Sequence, residues 1–169
     1  MRTPEVDPDN EHRSTDIGLI NQFEAEVGHT FPLGYKELLR EYDAVWLEDR
    51  DFEFIYNGEV DGADVVFYGY GSHLAEHYKI RNIQPDEYSH GDVVVFGTSG
   101  GGEHICFDYR QNPTTNNPPV VIMLHDELDE TGKMLVCPVA DDFERFIESL
   151  CDLDDEEDST VEDRESESE

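Results

Sequence analysis

The stretch VVVFGTSGGGEHICFDYR, residues 93–110, decides how the rest of the sequence is interpreted. Residues 93–96 form a continuous apolar run rich in β-branched side chains, which is typical of a strand buried on both faces. Serial glycines then interrupt the run, because glycine adopts backbone angles that other residues resist. From His104 onward, apolar and polar side chains alternate with a period of two. We therefore predict a β-hairpin at the centre of a sheet.

Four glycines in and beside this turn are assigned a structural role: Gly97, Gly100, Gly101 and Gly102. A phosphate-binding loop would lead into a helix and usually contain a lysine, whereas here Glu103 and a strand follow. The glycines therefore indicate a hairpin connection rather than a phosphate site. Because a β-branched side chain resists positive φ, we expect Gly101→Val to destabilise the protein.

Helical periodicity predicts helices near both ends of the domain. The first helix begins near Ile17, after the cap residues 14–16, and ends at Gly28. A Phe-Pro pair further along opens the second helix, since proline is tolerated in a first helical turn. The last helix has Asp141 as its N-cap, and Glu144 follows three residues later in the manner of a capping box.

Short apolar or alternating runs predict further strands at residues 52–56, 63–68, 120–124 and 134–139. A weaker helical pattern predicts a helix at residues 72–80. Because short turns connect the strands, the sheet should be largely antiparallel. The sequence therefore predicts an α+β fold, a single domain with a central, largely antiparallel sheet packed by N- and C-terminal helices.

The composition changes at both ends of the predicted domain. Residues 1–13 are polar and have no periodicity, so we predict a disordered N-terminus. Residues 152–169 contain eleven acidic residues and one arginine, which predicts a disordered acidic tail. Residues 14–151 form the predicted folded domain.

The chain is strongly acidic, with 42 Asp and Glu residues against 11 Lys and Arg residues and a formal net charge of −31. Such a surface repels phosphate backbones and anionic lipids, so we expect a basic protein partner and neither nucleic acid nor membrane. No apolar run is long enough to cross a bilayer and the N-terminus has no apolar signal region, so we expect a cytoplasmic protein. An acidic, lysine-poor composition also resembles that of halophile proteins in a salt-rich cytoplasm, and both explanations of the charge stay open.

No set of side chains in the sequence has the spacing of a catalytic or metal site. His104, Cys106 and Asp108 share one face of the predicted strand, but strand neighbours at i±2 do not point at each other. Structural zinc sites usually draw on two separated ligand pairs, and the sequence has no second pair. We therefore predict no enzyme activity, no metal and no cofactor, with Cys106 as the only candidate nucleophile for an enzymatic alternative.

Five short motifs occur in a fixed order along most of the chain: Ile17-x5-Phe23-Glu24, Phe31-Pro32-x2-Tyr35-x2-Leu38-Leu39, Val95-Phe96-Gly97-x4-Gly102-x2-Ile105-x-Phe107-Asp108, Pro119-Val120 and Phe143-x2-Phe146-Ile147-x2-Leu150. Together they resemble the SUKH superfamily, the Smi/Knr-like family. Residues 43–46 depart from the Asn-Gly-Gly-like turn that this family often has. The resemblance implies a non-enzymatic α+β domain. Many bacterial members look like immunity proteins that neutralise a toxin domain, often a nuclease, whereas fungal relatives look like regulatory scaffolds.

Two functions are consistent with the charge and the resemblance. The first is an immunity-type inhibitor of a basic toxin domain, and the second is a regulatory or scaffold interaction domain without a toxin partner. For the partner surface we select Glu103 and Asp108, because the hairpin places them near an exposed loop end. The candidate aromatic anchors are Trp46, Tyr68 and Tyr70, for which core packing is the alternative role. The sequence leaves the oligomeric state open.

Overall fold

A computed structural model describes residues 4–7, 14–72, 74–84 and 87–153. These residues form three α-helices and seven β-strands, which confirms the α+β fold. In chain order the elements are α1 (Ile17–Val27), α2 (Leu33–Glu41), β1 (Asp51–Tyr56), β2 (Glu59–Asp64), β3 (Val66–Phe67), β4 (Val93–Thr98), β5 (His104–Asp108), β6 (Val120–Leu128), β7 (Met134–Ala140) and α3 (Phe143–Ser149). No helix in the described ranges is long and apolar enough to cross a membrane.

The main sheet has five antiparallel strands in the order β3-β4-β5-β6-β7. The strand β5 is therefore the middle strand, and the prediction that the β4–β5 hairpin lies at the centre of the sheet is confirmed. The strands β1 and β2 form a separate two-stranded antiparallel sheet. Its turn at Asn57 and Gly58 has positive φ at both residues, as a tight hairpin turn requires.

Both faces of the central hairpin are buried. On the helix-packed face, Phe96 of β4 stacks on Phe107 of β5 with ring centroids 4.1 Å apart. Tyr35 of α2 and Phe143 of α3 pack against this pair. On the opposite face, Cys106 is completely buried. The continuous apolar run of β4 is explained by this two-sided burial.

The buried carboxylate of Asp43 ties the ends of the first two helices to a distant loop. It accepts hydrogen bonds from Thr15 Oγ1 at 3.0 Å, from the Tyr70 backbone N–H at 2.7 Å and from the Gly71 backbone N–H at 2.8 Å. A Cβ atom on Gly69 would collide with this carboxylate, so the loop approaches as closely as it does because residue 69 is glycine. Residues 43–46 are also where the sequence departs from the family pattern.

Part of the segment predicted to be disordered at the N-terminus is paired with the domain. The Asp7 N–H donates to the Trp46 carbonyl at 2.8 Å, and the Glu48 N–H donates to the Glu5 carbonyl at 2.9 Å. At the other end, the Leu153 N–H donates to the Asp51 carboxylate at 3.1 Å. The rest of residues 1–13 and residues 154–169 lie outside the described residues, so the predicted disorder there stays a prediction.

Two predicted elements are wrong. The strand predicted at residues 63–68 is divided at Val65, where the chain leaves the two-stranded sheet and joins the main sheet as β3. In place of the helix predicted at residues 72–80, the structure has single 3₁₀ turns at Glu76–Tyr78 and Ile80–Asn82. Backbone hydrogen bonds between Gly69 and both Tyr78 and Ile80 use the groups that a continuous helix would pair internally.

The helix boundaries follow the sequence closely, with shifts at two caps. Pro32, which was expected in the first turn of the second helix, is instead its N-cap. The first helix is confirmed, because Asp16 accepts from the Gly18 N–H and Gly28 ends the helix at φ +76°. The last helix is capped by Asp142, which accepts from the Arg145 N–H at 2.9 Å. Asp141 is therefore not the N-cap, and the predicted capping box with Glu144 does not form.

We expect Asp43→Ala to lower the free energy of unfolding by about 3 kcal/mol, because it leaves two partly buried N–H donors and a buried hydroxyl without their acceptor. Asp43→Asn keeps one acceptor oxygen and should lose about half as much. Urea denaturation measures both changes. Glu37→Ala on the exposed side of α2 is the control and should change stability by no more than about 0.5 kcal/mol; equal effects of Asp43→Ala and Glu37→Ala would contradict the assignment.

Candidate functional site

The glycine-rich turn between β4 and β5 is a compact loop closed by its own polar groups. The Ser99 N–H donates to the Glu103 carbonyl, and the Glu103 N–H returns a bond to Ser99 Oγ, both at 3.0 Å. Gly102 has φ +88°, so it is the position in this loop that requires glycine. Gly101 is not among the positive-φ residues, and the reason given for its expected sensitivity is therefore wrong.

The other two glycines of the turn have different surroundings. A Cβ atom on Gly97 would lie 3.0 Å from Val65 Cγ2 and 3.0 Å from the Val66 carbonyl, so Gly97 permits the close approach of β3. The Gly100 N–H donates to Asp64 Oδ1 at 2.8 Å. A carboxylate at the end of β2 thus occupies a backbone donor that a phosphate group would use, and the loop is joined to the two-stranded sheet.

A bulge in β6 provides the opposite wall of the site. Leu124 pairs with Leu135 and Leu128 pairs with Met134, so residues 125–127 have no counterpart on β7. A bulge bends its strand and changes the direction in which its side chains point. Here it presents one histidine and two acidic side chains beside the glycine loop.

These elements enclose a cleft of about 330 Å³ between the β1–β2 hairpin, the glycine loop and the β6 bulge. Phe54, Ala63 and Leu124 contribute apolar surface to it, and none of the described residues that line it is Lys or Arg. Five carboxylates from three separate segments line the cleft: Asp61, Asp64, Glu103, Asp126 and Glu127. We call this set of residues the acidic cleft.

Hydrogen bonds fix the positions of two cleft carboxylates, those of Glu103 and Glu127. Glu103 Oε2 accepts from the His125 backbone N–H at 2.7 Å and lies 3.0 Å from His125 Nδ1. Tyr56 Oη donates to Glu127 Oε1 at 2.6 Å. The hydrogen bond with Glu103 raises the pKa of His125, and the bond with Glu127 raises the pKa of Tyr56. The acidic cleft is therefore partly preorganised.

Two cleft residues, Glu103 and Asp126, form with the adjacent His125 the one group of three metal-ligand side chains found in the part of the chain that the structure describes. Ligand atoms of Glu103, His125 and Asp126 all lie within 4.8 Å of one another. Carboxylates and an imidazole are donors that a divalent cation accepts. His125 and Asp126 are exposed, and such groups are common without an ion. The absence of a bound metal stays a prediction.

Asp108 does not belong to the cleft, although the sequence grouped it with Glu103. The two residues lie at opposite ends of β5, roughly 16 Å apart for an extended strand. Arg110 binds the Asp108 carboxylate through Nε and a terminal nitrogen, both at 2.9 Å. Burial raises the pKa of Asp108, but the hydrogen bonds from Arg110 outweigh this and lower it. Asp108 therefore stabilises the chain turn after β5.

The three aromatic candidates are separated from the cleft as well. Tyr68 is buried in the core, and Tyr70 Oη lies 2.8 Å from Tyr35 Oη. Tyr70 is partly buried against the core, so both tyrosines contribute to core packing, and a contact with a partner stays a prediction. Trp46 is 40% exposed. The guanidinium carbon of Arg50 lies over the Trp46 ring, 5.7 Å from the ring centroid. None of the three is among the residues that line the acidic cleft.

The candidate nucleophile Cys106 has surroundings that suppress thiol chemistry. It is completely buried, and burial raises its pKa well above the ordinary value for a thiol. The reactive species of cysteine is the thiolate, which such burial disfavours. Burial also lowers the pKa of the neighbouring His104, whose Nδ1 has no hydrogen-bond partner among the described residues.

Four of the cleft residues have no signal in the sequence: Asp61, Asp64, Asp126 and Glu127. The sequence singles out only Glu103, because it adjoins the hairpin. The four others lie on β2 and on a bulge, and neither feature shows in the hydrophobic pattern. In a chain with 42 acidic residues, their residue type alone distinguishes none of them.

Three helices, a five-stranded antiparallel sheet and an acidic cleft beside it define the class of this protein as an acidic α+β domain. Comparison with protein-family models matches residues 15–149 to the SMI1 / KNR4 family (SUKH-1), and the chain belongs to this family. The match confirms the resemblance to the SUKH superfamily. Comparisons with curated proteins and with solved structures find no match.

We expect Gly102→Val to lower the free energy of unfolding by roughly 1–3 kcal/mol, because valine resists positive φ. Gly101→Val should change it by no more than about 0.5 kcal/mol, since a Cβ atom there meets only Ser99 Oγ at 3.8 Å. Urea denaturation measures the free energy of unfolding of both variants. The reverse order of sensitivity would show that the loop geometry is misassigned.

We expect the His125 imidazole to titrate above the value of about 6.5 for a free histidine. A raised pKa means that the contact with Glu103 contributes stability below the unfolded-state pKa and that this contribution is lost as pH rises through the folded-state pKa. NMR titration of the imidazole measures the folded-state pKa of His125. Glu103→Gln should return the midpoint towards the free value, whereas Asp126→Asn, which removes a weaker influence, should lower it less.

Proposed function

We propose that this chain is a cytoplasmic, non-enzymatic immunity-type inhibitor, which binds a basic toxin domain and blocks it through the acidic cleft. Membership of the SMI1 / KNR4 family supports the proposal, since this family is generally associated with toxin-neutralising proteins. The net charge of −31 independently favours a basic protein as the partner.

The observation that carries the proposal is the composition of the acidic cleft. Its five carboxylates surround apolar surface from Phe54 and Leu124, and the lining residues within the described part of the chain include no lysine or arginine. A lysine or arginine side chain has matching chemistry, because its aliphatic part packs on apolar surface while its charged end binds carboxylates. The cleft is therefore suited to a basic side chain on a partner protein.

A nuclease toxin fits this chemistry for a general reason. An enzyme that binds a polyphosphate chain presents cationic side chains to the phosphates. An acidic protein can occupy the same cationic surface and exclude the nucleic acid. Exposed opposite charges also accelerate the encounter of the two proteins, which suits an inhibitor that must act before the toxin does.

The alternative function is a regulatory or scaffold interaction domain without a toxin partner, acidic because of a salt-rich cytoplasm. The low lysine content favours this alternative: three lysines occur against eight arginines. An adaptation to salt requires only that acidic residues cover the surface. It does not require five carboxylates around one apolar-walled cleft.

The test is binding of the purified full chain to a toxin domain encoded beside its gene. We expect a complex whose association slows as salt rises, because salt screens exposed charges. The double variant Asp61→Asn with Asp126→Asn should lower the association rate constant roughly tenfold at low salt. Stopped-flow fluorescence measures the rates. Co-expression should show that the chain protects cells from the toxin.

A matched control carries the same change in charge on α2, where Glu37→Gln and Glu41→Gln alter exposed residues that do not line the cleft. This variant should associate within about twofold of the unchanged chain. Equal slowing by both variants would mean that net charge, and not the cleft, governs the encounter. If no neighbouring toxin domain binds and cells are not protected, the inhibitor function is refuted and the scaffold alternative replaces it.

A further inference from the structure

The outward face of the β1–β2 hairpin exposes an apolar pair. Ile55 and Val60 lie directly opposite each other in the strand register and are 54% and 63% exposed. The preceding inward residues of β1, Phe52 and Phe54, are buried in the core, so the alternation of the strand directs Ile55 to solvent. A polar side chain is the usual occupant of a strand position that faces solvent. An exposed cross-strand apolar pair instead offers a contact to another molecule.

The hairpin that carries this pair is acidic. The hairpin at residues 51–64 contains no basic residue. Among its acidic residues, Glu53, Asp51 and Asp64 share the strand parity of Ile55 and Val60, whereas Glu59 and Asp61 alternate to the other face. An apolar centre with a charged rim is the usual organisation of a protein–protein interface, in which the centre contributes most of the binding energy and the rim controls encounter.

We propose that the outward face of the β1–β2 hairpin, centred on Ile55 and Val60, is a docking surface for a basic protein partner. The inference rests on the proposed function and extends it, since it assigns to the same partner a second, apolar contact outside the acidic cleft. The cleft lies at the inner side of this hairpin, where Phe54 and Ala63 line it. One hairpin thus presents the partner with carboxylates on one side and an apolar pair on the other.

Charge complementarity selects the occupant. A second copy of this chain would bring the acidic rims of two hairpins together, and like charges in contact oppose association. Anionic lipid and nucleic acid are disfavoured for the same reason. A protein surface with apolar side chains surrounded by lysine or arginine satisfies both the pair and the rim.

The hairpin is held firmly enough to serve as a preformed surface. The ring of Phe52 meets Phe146 of α3 edge-on with centroids 5.3 Å apart. Tyr56 is bonded to Glu127 on β6. Leu153 lies against Gly62, two residues from Val60 on the same face of β2. Because the strands are already ordered, a partner need not supply the free energy to order them.

The experiment measures the affinity of the full chain for the toxin domain encoded beside its gene, by isothermal titration calorimetry. The double variant Ile55→Thr with Val60→Thr keeps β-branched side chains at exposed positions, so the hairpin should fold unchanged. We expect its Kd to rise by about 30-fold or more, mainly through faster dissociation. Leu33→Gln on α2 removes a side chain that is 71% exposed, and it should leave Kd within about twofold.

The possible outcomes separate the two proposals. Strong binding by the unchanged chain that the Ile55/Val60 double variant retains would refute the docking surface and leave the inhibitor function intact. No binding by the unchanged chain would refute both. Sedimentation of the chain alone should show a monomer. A dimer that the double variant dissociates would identify a second copy as the occupant and would also refute the inference.

Discussion

Phe96 and Phe107 stack with ring centroids 4.1 Å apart, and Tyr35 meets Phe107 at 5.2 Å and 81°. This contact joins the two central strands to α2, and Phe143 extends it to α3. Large aromatic rings bury more apolar area than other side chains, so the cluster dominates the stability of a domain this size. Tyr35 Oη bonds Tyr70 Oη at its edge, and burial raises the pKa of both hydroxyls, which keeps them neutral in the core.

The position of the acidic cleft depends on that core through a short chain of contacts. The same helix α3 that packs on Phe96 also holds Phe52 through Phe146, which fixes the two-stranded sheet beside the main sheet. Asp64 then bonds the glycine loop, and Tyr56 bonds the β6 bulge. The carboxylates thus converge because the core holds together three elements that are distant in sequence. Because these carboxylates are already held in position, binding a partner costs less free energy for ordering them.

The periodic parts of the structure were predictable, and the site largely was not. The apolar run at residues 93–96 and the helical stripes report burial directly, so the central hairpin and all three helices follow from the pattern. The division of a strand at Val65 and the bulge at residues 125–127 depend on tertiary contacts, which leave no local signal. The sequence does not distinguish Asp108 from Glu103. In the structure, Arg110 forms an ion pair with Asp108, whereas Glu103 lines the acidic cleft. Ile55 did carry a signal, since it is apolar at an outward position of an alternating strand.

The two explanations of the chain's acidity make different demands on its surface. In about 1 M salt the Debye length is near 3 Å, so carboxylates steer a partner only at contact distance, whereas in dilute salt they act over about 10 Å. Apolar contact is not screened, and salts that are excluded from protein surfaces strengthen it. A binding protein in a salt-rich cytoplasm therefore needs exposed apolar side chains as well as charge. Ile55 and Val60, on the outward face of the hairpin whose inner side lines the acidic cleft, provide such apolar side chains, so adaptation to salt and recognition of a basic partner are compatible explanations of the acidity.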